Sequence, residues 1–446
     1  MAIADVTFGN LSGLIKEFAP MKYTTAINLQ VPLLSENVLK KADPDDSEVL
    51  VYGLPDGLSS TTFVEDLGDL PLGIATTPFE GKAKPKPIVT VIKLGRSVAN
   101  AKMPDAKKAT ILDAHLESGA RNGARQLGRG LFGGTVSPDA TAAWSGTGLN
   151  ATVSLDFEDV SLFRVGQAYD FVDVSTALSY VVRCQSVTPK ALTNSANVAG
   201  TVVFINDVKD SSGNEQDIDD TGAVTVATND LFALRGVYTR SNFASGAAGD
   251  DQPSGSALTS FDDICGSGAS GNLYGVVAAS TNFKGQTVAA AGAPYSQELI
   301  LGFMAQMELY SDMGPNQAVM SPKLAAAHAA SVGHQVTFAG LTGGLGGFSR
   351  KDIENSMDKY GSKAKMTVRG MPITVDPNCQ ADRVIFFNDT TTKLYEWRAQ
   401  GVVDDEGNGI RVLDDKYGFQ IQIAGECELV AHERRDCGSI TGLTGL

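Results

Sequence analysis

Side chains able to do chemistry are present in this 446-residue chain, but their spacing builds no recognisable reaction centre. The histidines are His115, His328, His334 and His432. None belongs to an HExxH pair, since His432-Glu433 lacks a second His four residues on. His328 and His334 straddle a predicted helix end and read as scaffold residues. Cys184, Cys265, Cys379, Cys427 and Cys437 form no CxxC pair for zinc. An odd, widely spaced set in a chain this long reads as reduced thiols, which fits a reducing cytoplasm. Gly266 to Gly271 is a flexible loop by composition, not a nucleophile elbow. Gly340 to Gly347 lacks the Lys-Ser/Thr that would complete a phosphate cradle. Asp207, Asp210, Glu215, Asp217, Asp219 and Asp220 crowd one Ser/Gly/Asn-rich loop, yet the spacing of a calcium-binding EF-hand is absent. A solvated acidic loop is the reading, with calcium as the alternative. The sequence therefore nominates no catalytic, cofactor-binding or metal-ligating residue and no enzyme.

The spacing that does stand out is cationic. Arg121, Arg125 and Arg129 recur at i, i+4 and i+8 within the clearest predicted helix, 104–130, with Lys107 and Lys108 some turns earlier. An ordinary solvated face is the bland explanation. The sharper one is a stripe that faces a polyanion or an acidic neighbour. Pro104 and Asp105 suit the helix start, and Ala109, Leu112, Leu116, Gly119, Gly123 and Leu127 recur at helical steps. Each helical glycine costs about 1 kcal/mol relative to Ala, so close approach of another backbone is expected there.

Composition bounds the rest. The 36 Lys+Arg and 51 Asp+Glu give a net charge of −15, which excludes a protein whose whole surface clamps nucleic acid. Hydrophobic residues are 43% and charged residues 20%, a globular balance. The 48 glycines exceed the usual share and imply many turns. Met1 to Pro20 reads as no secretory signal, and no run is long and apolar enough to span a bilayer, so no membrane partner is expected.

Along the chain, 1–48 reads as an arm that lies on something else. Residues 49–95 read as a long two-stranded excursion, Val49 to Tyr52 returning as Ile88 to Ile92, with lysines Lys82, Lys84 and Lys86 before the return. Residues 151–240 alternate as short strands, the pattern of a small sandwich or barrel. Residues 241–290 are Gly/Ser/Ala-rich. A helix capped by Ser296, with Leu299, Phe303, Met307 and Tyr310 on one face, precedes the strand Ala318 to Met320. A second helix opens at Ser321-Pro322. Strands at 366–368, 373–375 and 384–387 follow, and Lys393 to Val403 and Tyr417 to Val430 read as long antiparallel strands. The class is α+β.

This order of parts, with Phe163-Arg164-Val165-Gly166 and Phe232 to Gly236 bounding the strand-rich segment, Gln317 to Pro322 at a helix–strand–helix, and Val368-Arg369-Gly370-Met371-Pro372-Ile373-Thr374-Val375-Asp376-Pro377 near the end, resembles the major capsid proteins of tailed double-stranded DNA bacteriophages with the HK97-type fold. The resemblance implies an N-terminal arm (1–48), an E-loop hairpin (49–95) and a peripheral domain (96–157) whose spine helix is 104–130. It further implies a β-rich insertion domain (158–237), an axial domain (238–375), and return strands of the peripheral domain with a C-terminal tail (376–446). It implies a structural role in pentamers and hexamers of an icosahedral head, located in the virion and assembled in the host cytoplasm. Implied partners are many copies of the chain itself, scaffolding, portal and decoration proteins, and packaged double-stranded DNA held non-specifically. Phe63, Asp66, Phe79, Lys82, Lys84 and Lys86 are the expected E-loop contacts between subunits. Arg121, Arg125 and Arg129 are the expected basic stripe toward the lumen or a neighbour. The competing class is a secreted or surface-layer, adhesin-like β protein, which glycine-rich strands and acidity also fit.

Overall fold

The computed structural model describes residues 26, 30–44, 46–53, 79–95, 105–133, 135–145, 151–157, 160, 162–173, 178–189, 199–206, 225–228, 230–234, 258–265, 272–276, 283–311, 313–329, 366–369, 371–403, 411–412 and 418–444. Among them the architecture is α+β and rich in strands. Phe63 and Asp66, the acidic 207–220 loop, His334, and the glycine-rich 241–257 and 338–348 lie outside the described residues.

The arm buries Val31, Leu33, Leu34 and Leu39 around the short helix α1 (Pro32–Ser35), then forms β1 (Lys40–Ala42). β2 (Val49–Gly53) and β3 (Phe79–Ala83) make an antiparallel ribbon, from Val49 opposite Ala83 to Gly53 opposite Phe79. The return strand is thus Phe79–Ala83, not the expected Ile88 to Ile92. That run lies in β4 (Lys86–Gly95), which leaves the ribbon for another sheet. The reason is facial: Ile92 is buried whereas Val89 and Val91 are exposed, so β4 needs a sheet covered on one side.

The cover is α2 (Asp105–Phe132), a helix of 28 residues that buries Leu116, Ala120, Ala124, Leu127 and Leu131. Its close approach is made by a strand side chain rather than by a backbone. A Cβ on Gly119 would stand 2.5 Å from Ile92 Cδ1.

Eight strands follow: β5 (Thr135–Val136), β6 (Ala142–Ala143), β7 (Thr152–Phe157), β8 (Ala168–Asp173), β9 (Leu178–Pro189), β10 (Gly200–Asn206), β11 (Thr225–Val226) and β12 (Leu231–Leu234). Six form a sheet in the order β5-β12-β8-β9-β10-β7, and β6 pairs with β11. Phe157, Phe163, Tyr169, Phe171, Phe204 and Phe232 fill their own core, with Phe157 and Phe163 centroids 4.6 Å apart. The unit therefore begins at Thr135, upstream of the 158 boundary expected from sequence, because β7 is an edge strand and supplies Val153, Leu155 and Phe157 to that core.

The remaining elements are α3 (Phe261–Cys265), β13 (Gln286–Ala289), α4 (Gln297–Tyr310), β14 (Gln317–Met320), α5 (322–329), β15 (Met366–Val368), β16 (Met371–Val375), β17 (Val384–Phe387), β18 (Thr392–Val402), β19 (Arg411–Val412), β20 (Gly418–Ala431) and β21 (Gly438–Thr441). Ser296 Oγ accepts from the Leu299 N–H and Ser321 Oγ from the Leu324 N–H, so both expected helix starts carry hydroxyl caps. α4 buries Ile300, Phe303, Met304 and Met307, while Tyr310, expected on that face, is exposed.

Two sheets complete the body. One runs β13-β21-β17-β14-β16-β15, and the other runs β1-β18-β20-β19 with β4 also paired to β20. β17 and β21, expected among the return strands of 376–446, thus sit in the sheet of β14 and β16. Their residues Val384, Phe386 and Ile440 share the α4 core. β18 and β20 share a separate core with α2, β4 and the arm.

Candidate functional site

The β2–β3 ribbon has two unlike faces because strand residues alternate. Val51 and Ala83 are buried against the body, whereas the cross-strand pairs Leu50/Lys82 and Tyr52/Glu80 are exposed. The inner face is clamped on residues 273–276. The Lys82 N–H donates to the Tyr274 carbonyl at 2.9 Å, and a Cβ on Gly81 would meet Val276 Cγ2 at 2.7 Å. Phe79 is half-buried and packs its ring on Phe283 of the same chain, centroids 5.3 Å apart. Lys82 and Lys84 both reach Glu48, at 3.7 and 3.5 Å, at the base of the ribbon. Lys86 lies past it, on β4 opposite Cys427.

Beneath that clamp is a buried polar cluster with no sequence signature. Arg434 donates from Nε to the Ile264 carbonyl (3.1 Å), from Nη1 to the Phe283 carbonyl (3.1 Å) and from Nη2 to the Asp263 carbonyl (2.5 Å), and lies over the Phe283 ring. Tyr274 Oη donates to the Leu429 carbonyl at 2.7 Å. Glu428 accepts from the Thr259 N–H at 3.1 Å, and burial pushes its carboxyl up to about 8. Burial likewise raises Asp263 to about 6, although Ser260 hydrogen-bonds it. One guanidinium thus joins α3, the segment before β13 and the turn after β20, which fixes the platform under the ribbon.

The three arginines of α2 do not share one environment. Arg121 is exposed and ion-paired with Glu117; Arg125 is half-buried and donates from Nε to Gln30 Oε1 at 2.9 Å; Arg129 is only 7% exposed. The periodicity placed them on one stripe, but the C-terminal half of α2 is covered, so Arg129 leaves the surface. Arg129 and Arg164 are both near enough to Tyr169 to act on its hydroxyl. Arg125 is held below its ordinary pKa by burial, then by the charges of Arg164 and Arg121. Ala114, Glu117, Ser118, Arg121, Asn122 and Arg125 line a shallow depression of about 490 Å³.

Other reactive side chains are structural. His328 Nδ1 shares a 2.6 Å hydrogen bond with Tyr295 Oη, and His432 Nε2 a 2.9 Å bond with Tyr395 Oη. All five cysteines are buried free thiols. Among the described residues no cluster of His, Cys, Asp and Glu could hold a metal ion, and no helix is long and apolar enough to cross a membrane. Large apolar side chains are exposed at Val89 and Val91 on β4 and at Leu309, Tyr310 and Met313 around the end of α4.

No protein-family model and no curated protein sequence matches the chain. Solved structures similar to it include the following three. One is a capsid asymmetric unit of cyanophage A-1(L), at 9% identity and TM-score 0.48 over 93% of this chain and 93% of that chain. Another is the capsid of a native GTA particle, at 8% identity and TM-score 0.42 over 93% and 91% of the two chains. A third is the virus-like particle from Pyrococcus furiosus, at 7% identity and TM-score 0.37 over 95% and 98%.

Proposed function

We propose that this chain is a major capsid protein of the HK97 type, a non-enzymatic subunit that forms pentamers and hexamers of an icosahedral head around phage double-stranded DNA. In this reading β2–β3 is the root of the E-loop, α2 the spine helix, the β5–β12 unit an outer insertion, and the sheet around β14 the axial domain. The subunit assembles in the host cytoplasm, resides in the virion, and meets scaffolding, portal and decoration proteins there.

The observation that carries the reading is the ribbon. Its inner face is fastened to the chain's own body through Tyr274 and Val276, while its outer face offers Leu50 and Tyr52, 38% and 58% exposed, beside charged Lys82 and Glu80. A fixed strand pair that displays apolar side chains is a contact surface for another molecule. Closing a shell from one chain needs such one-sided surfaces, because head-to-tail contacts join unlike patches on successive copies. The exposed apolar residues of β4 and the end of α4 provide further unlike patches.

Replacing Leu50 and Tyr52 with Asp tests this directly. The variant is expected to be folded, with an unchanged circular dichroism spectrum, and to remain as small species on a sizing column. Normal shells from that variant would count against the ribbon as an assembly contact.

A further inference from the structure

The clamp that holds the ribbon leads inward to a carboxyl that is only half satisfied. The Lys82 N–H donates to the Tyr274 carbonyl at 2.9 Å. The same tyrosine is fixed on β20 by its hydroxyl, which donates to the Leu429 carbonyl at 2.7 Å and accepts from the Ala431 N–H at 3.3 Å. Glu428, the residue before Leu429, is 1% exposed. Its Oε1 accepts from the Thr259 N–H at 3.1 Å, and its Oε2 is buried with no hydrogen-bond partner among the described residues. Thr259 leads into α3, whose Asp263 and Ile264 carbonyls are gripped by Arg434. Glu428 therefore stands where both parts of the platform, 258–265 and 272–276, meet β20. A carboxylate taken out of water needs several donors or a close cation, so a site with one N–H favours the neutral acid.

We infer that the clamp is a proton gate: neutral Glu428 keeps Thr259 and Tyr274 on β20, and its ionisation brings in water, frees both segments and lets the ribbon lift from the body. The sign follows from where the proton is held. Burial pushes the carboxyl from 4.5 up to about 8 in the closed clamp, and opening returns it to water. The closed form is fully favoured below about pH 4.5, loses that advantage as pH rises, and keeps none of it above about pH 8. The neighbours do not change charge across the upper part of this range. The Lys86 ammonium on β4 favours the anion without offsetting burial. Asp263 on α3 ionises earlier, at about 6, and His432, bonded to Tyr395 opposite Glu428, is held below its ordinary range by burial and then by Lys393. Burial keeps the Tyr274 phenol and the Cys427 thiol protonated, and Glu396 is ion-paired with Lys41 at 3.0 Å. In the shell reading the gate sets when Leu50 and Tyr52 are presented on a fixed ribbon. It rests on that reading only for this consequence, because opening is measured whether or not shells form.

The test is hydrogen exchange of the unassembled full-length chain, isolated by size exclusion and followed at the Lys82 amide. With the intrinsic exchange rate divided out, its opening constant is expected to rise about tenfold per pH unit from about pH 6.5 and to level off above about pH 8. E428Q should abolish the rise and leave the amide protected. Val202, in the separate aromatic core, should show no rise, and Val319 in β14 should exchange more slowly than Lys82 throughout, since a local opening costs less than global unfolding. A pH-independent opening constant at Lys82 overturns the gate. So does an equal rise in E428Q or at Val202. Exchange of Lys82 no faster than that of Val319 also overturns it, because the ribbon would then leave only when the whole body unfolds. The wild-type profile decides the matter by itself if E428Q does not fold.

Discussion

Ile92 on β4 occupies the space that a side chain on Gly119 of α2 would need: a Cβ there would lie 2.5 Å from Ile92 Cδ1 and 2.7 Å from Ile92 Cγ1. This contact sets how closely the long helix lies on the sheet that continues from the ribbon. Gly119→Ala gains about 1 kcal/mol of helix propensity but overpacks the contact, which costs about 1–3 kcal/mol. A net loss of about 1 kcal/mol is expected in urea unfolding. Adding Ile92→Val should restore part of it, a positive coupling across the pair. Additive effects of the two changes would mean that the helix does not rest on Ile92.

Arg434 holds three backbone carbonyls from two distant segments under the ribbon clamp. Arg434→Gln cannot reach all three, and each buried acceptor left without a donor costs about 1–3 kcal/mol. A loss of at least about 3 kcal/mol in unfolding free energy is expected. A loss below about 1 kcal/mol, the scale of a surface substitution, would show that the cluster is not what fastens the platform.

Buried carboxyls make stability depend on pH with a definite sign. Glu428 is raised by burial from 4.5 to about 8, and Asp263 and Asp376, also by burial, from 3.8 to about 6. The folded chain therefore holds protons that the unfolded chain releases. Their contribution is full at the acid end, declines as pH rises through these windows, and is gone above about pH 8. The urea midpoint of the unassembled chain should fall between pH 5 and pH 8. Glu428→Gln should flatten the part of that decline above pH 6. An unchanged slope in that variant would remove Glu428 as its cause.

The aromatic core of the β5–β12 unit is separate from the rest of the body. A fragment spanning 135–237 should unfold cooperatively by itself. One spanning 158–237 should not, because it lacks edge strands β5 and β7 and with them Val153, Leu155 and Phe157. Cooperative unfolding of the shorter fragment would restore the boundary that sequence alone placed at 158.

What was legible in the sequence was local. The 104–130 periodicity, the hydroxyl caps at Ser296 and Ser321 and the short strands within 151–240 are short-range patterns, and the structure has elements there. Partner choice was not legible. Ile88 to Ile92 alternates equally well for a ribbon or a sheet, and only the fit of Ile92 against Gly119 decides. Val384–Phe387 reads as a strand without revealing which sheet it enters. The i, i+4, i+8 spacing put Arg129 on one stripe with Arg121 and Arg125, although Arg129 is buried, because spacing does not show which half of a helix another unit covers.

The central claim is that copies of this chain close into a shell, and the most direct measurement is electron microscopy of the purified full-length protein after size exclusion. The account predicts closed particles, or five- and six-membered rings, eluting far above the monomer position. A protein that stays monomeric at high concentration, with no rings or shells in the images, would contradict it.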